Sequence, residues 1–146
     1  MSGMLNLSGN IYEVETCTET RLYIMESDEK EGTITIAIDI SFNRGKYEGE
    51  TVRPSICINC HETGVSNLYD LVGRTFTVNN VEESDEREDT FYLFEHEPME
   101  SYKVTILEIK DSEVHITISG IAITDGYSKP YKTAKFSIDC WLSIPK

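Results

Sequence analysis

The sequence predicts an all-β fold, an antiparallel β-sandwich or closed barrel of about eight or nine strands with at most one short helical turn. Three observations predict it. Apolar residues recur at every second position in several segments, helical periodicity is nearly absent, and turn-forming residues separate the alternating segments.

In chain order, Ile34, Ile36, Ile38 and Ile40 share one face of a strand that Glu31-Gly32 precedes and Asn43-Arg44-Gly45 follows. Ile56, Ile58 and Cys60 alternate next. Pro54 stands ahead of them, so that strand lies at an edge or starts pairing after the proline. Ser66 to Leu71 is the one plausible helical turn, followed by Gly73 and a strand over 75–81. Val104 and Ile106 give way to Leu107 and Ile109, a phase change that predicts a β-bulge. Lys110-Asp111-Ser112 joins two strands tightly, and Val114, Ile116 and Ile118 alternate beyond it. Gly120, with Ile121 and Ile123 out of phase behind it, predicts a second bulge. Asp125-Gly126 opens the last connection, before Phe136, Ile138, Cys140, Leu142 and Ile144 alternate to the end.

At 146 residues the chain is read as one domain, 1–146. A domain of this size buries roughly 70% of its unfolded surface, enough for a core without disulfide or metal staples. The segment Met1-Ser2-Gly3-Met4-Leu5 has neither the basic nor the apolar region of a secretory signal. No apolar run approaches the ~18 residues of a membrane helix, so a cytoplasmic location is expected. An offset of 80 residues pairs Tyr12, Glu15, Lys30, Ile36, Ile38, Tyr47, Ile58 and Cys60 with identical residues at 92, 95, 110, 116, 118, 127, 138 and 140. Two similar halves would produce this, and so would chance alignment of two β-rich stretches.

Charge is the most informative feature. The formal net charge is -13, and residues 82–100 alone hold nine acids and one Arg. Residues 101–146 hold five acids and six bases, near neutrality. A field this negative repels nucleic acid and anionic membranes, so neither is an expected partner; it favours a cation or a basic protein.

Cys57-Ile58-Asn59-Cys60-His61 resembles the haem-attachment motif of c-type cytochromes. That motif ordinarily opens a helix, whereas this one closes a strand, so haem is not expected. Zinc would need Cys57 and Cys60 to converge with Cys17, Cys140 or a His. Positions three apart on a strand point to opposite faces, so no metal site is assigned. Cys60 and Cys140 are expected to fill core positions, with Cys57 partly exposed. A thiol nucleophile would need a nearby cation or a helix N-terminus, and the sequence offers neither.

The run Glu82 to Asp89 lacks the spacing of an EF-hand and reads as a solvated hairpin loop, a partner surface or, less readily, a calcium loop. In Glu95-His96-Glu97, a His between two carboxylates suggests a general base, though nothing in the sequence brings a pocket to it. His115 is expected to face solvent. Tyr127, Lys129, Pro130 and Tyr131 form an aromatic loop that suits a contact patch or a cover for a sheet edge. No phosphate loop, nucleophile elbow or zinc-protease motif occurs, so no catalytic residue and no cofactor are assigned.

In size, acidity and absence of a leader the chain resembles bacterial immunity proteins, small cytoplasmic antitoxins that neutralise secreted toxin domains. The resemblance includes no motif, so no family residue is carried over. It implies a non-enzymatic protein-binding domain whose partner is a basic protein such as a toxin nuclease domain. On that reading Glu82, Glu83, Asp85, Glu86, Glu88 and Asp89 supply steering charge, and Phe91, Tyr92 and Phe94 supply apolar anchors. The alternative is a β-barrel that holds a small apolar ligand inside.

Overall fold

Period-two alternation becomes strand wherever the sequence carries it. The computed structural model describes residues 3–16 and 19–145. Its strands are β1 (Gly3–Leu7), β2 (Asn10–Glu13), β3 (Arg21–Glu26), β4 (Ile34–Ser41), β5 (Gly45–Tyr47), β6 (Glu50–Val52), β7 (Ser55–Glu62), β8 (Thr75–Val78), β9 (Thr90–Tyr92), β10 (His96–Glu97), β11 (Ser101–Lys110), β12 (Glu113–Asp125) and β13 (Lys132–Ser143). The expected helical turn is a 3-10 turn over Leu68–Leu71. A second helical element, α1 (Val81–Glu86), stands where the acidic run was read as a loop. No helix among the described residues is long and apolar enough to cross a membrane.

The sheet corrects the expected architecture. Nine strands follow one hydrogen-bonded path, β10-β9-β7-β4-β3-β13-β12-β11-β8, with β1 added to β13, β2 to β1, and β5 and β6 as a separate hairpin. The path curls into a half-barrel; it is neither a closed barrel nor a sandwich. Its end strands are short, four residues in β8 and two in β10, and they do not pair with each other. Short ends are one way an open sheet keeps its edges from pairing further. The middle is a single parallel pair, Arg21 opposite Ser143, which joins two antiparallel meanders, β3-β4-β7 and β11-β12-β13.

The curl brings the two meanders face to face around one core. The rings of Phe91 and Phe136 lie 5.1 Å apart, and His61 packs between Phe76 at 5.6 Å and Tyr102 at 5.9 Å. Leu5, Leu7, Ile36, Ile38, Ile58, Ile106, Ile116 and Ile138 are all buried in the same cluster. Each such side chain contributes roughly 1.5–3 kcal/mol by leaving water. Pro54 precedes β7, an interior strand of the path, so the second of its two expected placements holds.

The expected bulge at Leu107 is present: the β11–β12 register shifts between Ile106 and Glu108. The bulge expected at Gly120 is not, because the register runs unbroken through Tyr102 opposite Gly120 and shifts only between Ile123 and Asp125. Gly120 keeps its inward phase, and the small residues Gly120 and Ala122 simply make room. A Cβ at Gly120 would sit 2.3 Å from the Ser101 carbonyl oxygen and 3.0 Å from the Phe136 ring.

An unforeseen bulge lies in β7. Ile38 faces Ile58 but Ile36 faces His61, so Asn59 and Cys60 together oppose Ala37. The extra residue reverses the alternation. His61 therefore turns inward, and Cys60, expected in the core, is exposed. Cys140 has no bulge ahead of it and is buried as expected.

The 80-residue offset has a structural counterpart. It carries β2, β3, β4 and β7 onto β9, β11, β12 and β13. It also carries the pair Ile38–Ile58 onto Ile118–Ile138.

Candidate functional site

The acidic segment is ordered by its own sequence. Asn80 caps α1 by accepting a hydrogen bond from the Glu83 N–H at 2.8 Å, and the Glu83 carboxylate accepts in return from the Asn79 N–H at 3.3 Å. This is a close variant of a capping box, and acids in the first turn suit the helix dipole. Ser84 is buried and its Oγ accepts from the Met99 N–H at 2.9 Å, which ties the helix to the core. Glu82, Glu83, Asp85 and Glu86 remain exposed.

Behind the helix lies a buried polar clasp. Asp89 Oδ1 accepts from the Asn59 N–H at 2.7 Å, and Oδ2 accepts from Arg87 Nε at 2.8 Å and from the Tyr102 hydroxyl at 2.5 Å. Arg87 also donates to the Asn59 carbonyl at 2.7 Å, and the Asn59 side chain donates to the carbonyls of Arg87 and Glu88. β9 pairs with β7 only as far as Thr90 opposite Cys57, so the Asp89 carboxylate satisfies the amide that the ladder leaves over. His61 Nε2 lies 2.7 Å from the Tyr102 oxygen. The Tyr102 proton goes to Asp89, so His61 donates to Tyr102. Burial, then the charge of Arg87, lowers the imidazole to about 4, and burial with Asp89 pushes the Tyr102 hydroxyl far above its ordinary range.

This clasp decides the fate of two expected partner-binding residues. Asp89 and Phe91 are both fully buried, one in the clasp and one against Phe136, so neither is a surface contact. Tyr92 is half-buried with its ring 4.7 Å from His96. Glu88 is exposed at a backbone φ of 60°, where the chain leaves the helix. Phe94 is exposed and faces the main cleft.

That cleft has a volume of about 570 Å³. Its floor is Tyr47, buried and set edge-on to Phe94 with ring centroids 6.3 Å apart. The β5–β6 hairpin contributes Glu48 and Glu50 across a turn in which Glu48 and Gly49 both take positive φ. The chain around β10 contributes Glu95 and Glu97, and the end of β12 contributes Asp125 and Tyr127. Lys132 is the one base in this lining among the described residues. Tyr47 and Tyr127 are equivalent under the 80-residue offset, so matching connections of the two halves meet here. Burial, then the charge of Glu48, raises the Tyr47 hydroxyl. Asp125 is held below the usual carboxylate range by the Ser128 hydroxyl and the Tyr127 N–H.

The cleft and the helix are linked. Gly126 N–H donates to Glu97 at 3.2 Å at the cleft end of the 126–131 loop. At the other end the Tyr131 hydroxyl donates to Glu100 at 2.6 Å, and that bond, with the charges of Glu100 and Glu82, raises its pKa. The charge of Glu82 at the start of α1 also reaches Tyr131, so the acidic character continues from the cleft along this loop to that end of the helix.

The other candidates separate. Glu95 and Glu97 line the cleft while His96 turns to the opposite side beside Tyr92, so strand alternation removes the base from its carboxylates. His115 is only partly exposed: it stacks on Trp141 at 5.0 Å and bonds Asp139 at 2.6 Å. Cys57 is half-buried, and burial followed by Asp39 pushes its thiol to about 12, which suppresses the thiolate. Cys17 lies outside the described residues. No group of three or more His, Cys, Asp or Glu side chains among the described residues is placed to hold a metal ion.

No family model, no curated protein and no solved structure matches the chain. Sequence reasoning singled out the acidic run, which it read as a loop rather than a helix, and Phe94. It missed Tyr47, Glu48 and Glu50, which no motif or dense charge run marks.

Proposed function

We propose that this chain is a non-enzymatic binding domain that receives a basic protein on its acidic face. The observation that carries this reading is the cleft, whose lining holds five carboxylates and three aromatic rings against one lysine among the described residues. Concavity and aromatic area favour a specific contact, and the charge favours a partner rich in Arg and Lys. The helix α1 extends the same charge outward, where it accelerates encounter. A basic toxin nuclease domain is the partner implied by the resemblance to immunity proteins, since an acidic plug suits a nucleic-acid groove.

The alternative, an apolar ligand inside a barrel, has less support. The sheet is not closed, and Phe91, Phe136, Tyr102 and the Ile residues fill the space between its halves.

The test is kinetic. A toxin domain encoded beside this chain is purified, and association is measured against wild type and a variant with Glu82, Glu83, Asp85 and Glu86 changed to Gln. The reading predicts saturable binding with an on-rate that falls about tenfold or more in the variant, converging on wild type as salt rises. An unchanged on-rate removes α1 from the interface. Absence of binding to any basic domain offered overturns the reading.

A further inference from the structure

We infer that the cleft is an anchor pocket for one arginine side chain of the partner, seated against the rings of Phe94 and Tyr127 with its N–H groups toward the surrounding glutamates. This deepens the acidic-face reading and rests on it. The rings come first. Phe94 is 38% exposed and Tyr127 80% exposed, so both rings are accessible at the cleft, while Tyr47 in the same lining is 7% exposed. Exposed rings beside a cleft are costly in water and favourable against a cation with a flat face.

The carboxylates come second. The side-chain carboxylates of Glu48, Glu50 and Glu95 make no hydrogen bond or ion pair among the described residues, so their acceptors are available. Asp125 is already engaged with Tyr127 and Ser128, and Glu97 with Gly126. The acids reach the cleft from three stretches of chain: Glu48 and Glu50 from the β5–β6 hairpin, Glu95 and Glu97 from around β10, and Asp125 from the end of β12. Acceptors that arrive from several directions suit a broad, forked cation better than a point charge. Guanidinium is planar, stacks on aromatic faces and carries five donors in a fork, whereas ammonium is compact and strongly hydrated. The observations therefore favour arginine over lysine.

The experiment uses short blocked peptides that differ only in a central arginine, lysine or citrulline, titrated into the intact protein. Arginine should bind saturably, lysine at least about threefold more weakly, and citrulline, which keeps the shape but loses the charge, not at all. Tyr127→Ala and Phe94→Ala should each weaken arginine binding about fivefold, the worth of one cation–ring contact, and Tyr127→Phe should restore it. Tyr127 lies outside the core, so its variant melts like wild type and its result concerns the pocket alone. Equal affinity for lysine, or no effect of Tyr127→Ala, overturns the arginine anchor. If Glu48→Gln with Glu95→Gln still weakens binding in that case, the acidic face stands without the anchor. If neither pair of changes matters, both readings fail.

Discussion

Asp89 satisfies three donors at once, and no exposed acid nearby has that role. Asp89→Ala would leave the Arg87 Nε–H, the Tyr102 hydroxyl proton and the Asn59 N–H without their acceptor. The expected loss is about 3–5 kcal/mol by urea denaturation, against about 0.5 kcal/mol or less for the exposed Glu86→Ala. His61 adds a pH dependence. Unfolded, the imidazole takes up a proton near 6.5; folded, it resists until about 4. Between those values the unfolded chain binds more protons, so this contribution is present above 6.5 and is lost as pH falls toward 4. Wild type should therefore lose more melting temperature than His61→Gln between about pH 7 and about pH 5, and equal losses would show that His61 is not protected. At this scale the sequence was least legible. Asp89 looks like its exposed neighbours in the acidic run and Phe91 like Tyr92 and Phe94 beyond it, and only the place where β9 stops pairing makes one a clasp and the other core.

Elements were more legible than residues, and their failures have local causes. Ile34 to Ile40 and Phe136 to Ile144 alternate and are strands, because one face of each meets the core. The bulge in β7 was hidden because Ile56, Ile58 and Cys60 keep period two on paper, while the pairing with β4 inserts a residue. The reverse happened at Gly120, where a small residue kept its phase and was read as a break. Gly120→Ala would press a methyl group into the Ser101 carbonyl, at a cost of about 1–3 kcal/mol in chemical denaturation. The helix α1 was visible in principle: Asn80 followed three residues later by Glu83 is a helix-start signature, masked by the density of charge. Asn80→Ala should cost about 1 kcal/mol and raise amide exchange at Glu83 and Ser84. No change in exchange there would mean that the tether through Ser84 alone holds the helix.

At the scale of the molecule, the polarity of charge was legible and its shape was not. Composition shows where the acids lie in the chain; only the curled sheet shows that Glu48 and Glu50 join Glu95, Glu97 and Asp125 around one cleft. All-β character followed from alternation, but closure depends on whether the end strands meet, and short edge strands leave no mark in periodicity. On the proposed reading, this acidic face is where a basic protein binds. The most direct test is a backbone amide chemical-shift map of the intact protein titrated with an arginine-rich peptide. Saturable shifts are expected at 47–50, 94–97 and 124–127, with weaker ones at 82–86. Shifts centred instead on the outer sheet face around His115, Asp139 and Trp141, or none that saturate, would contradict it.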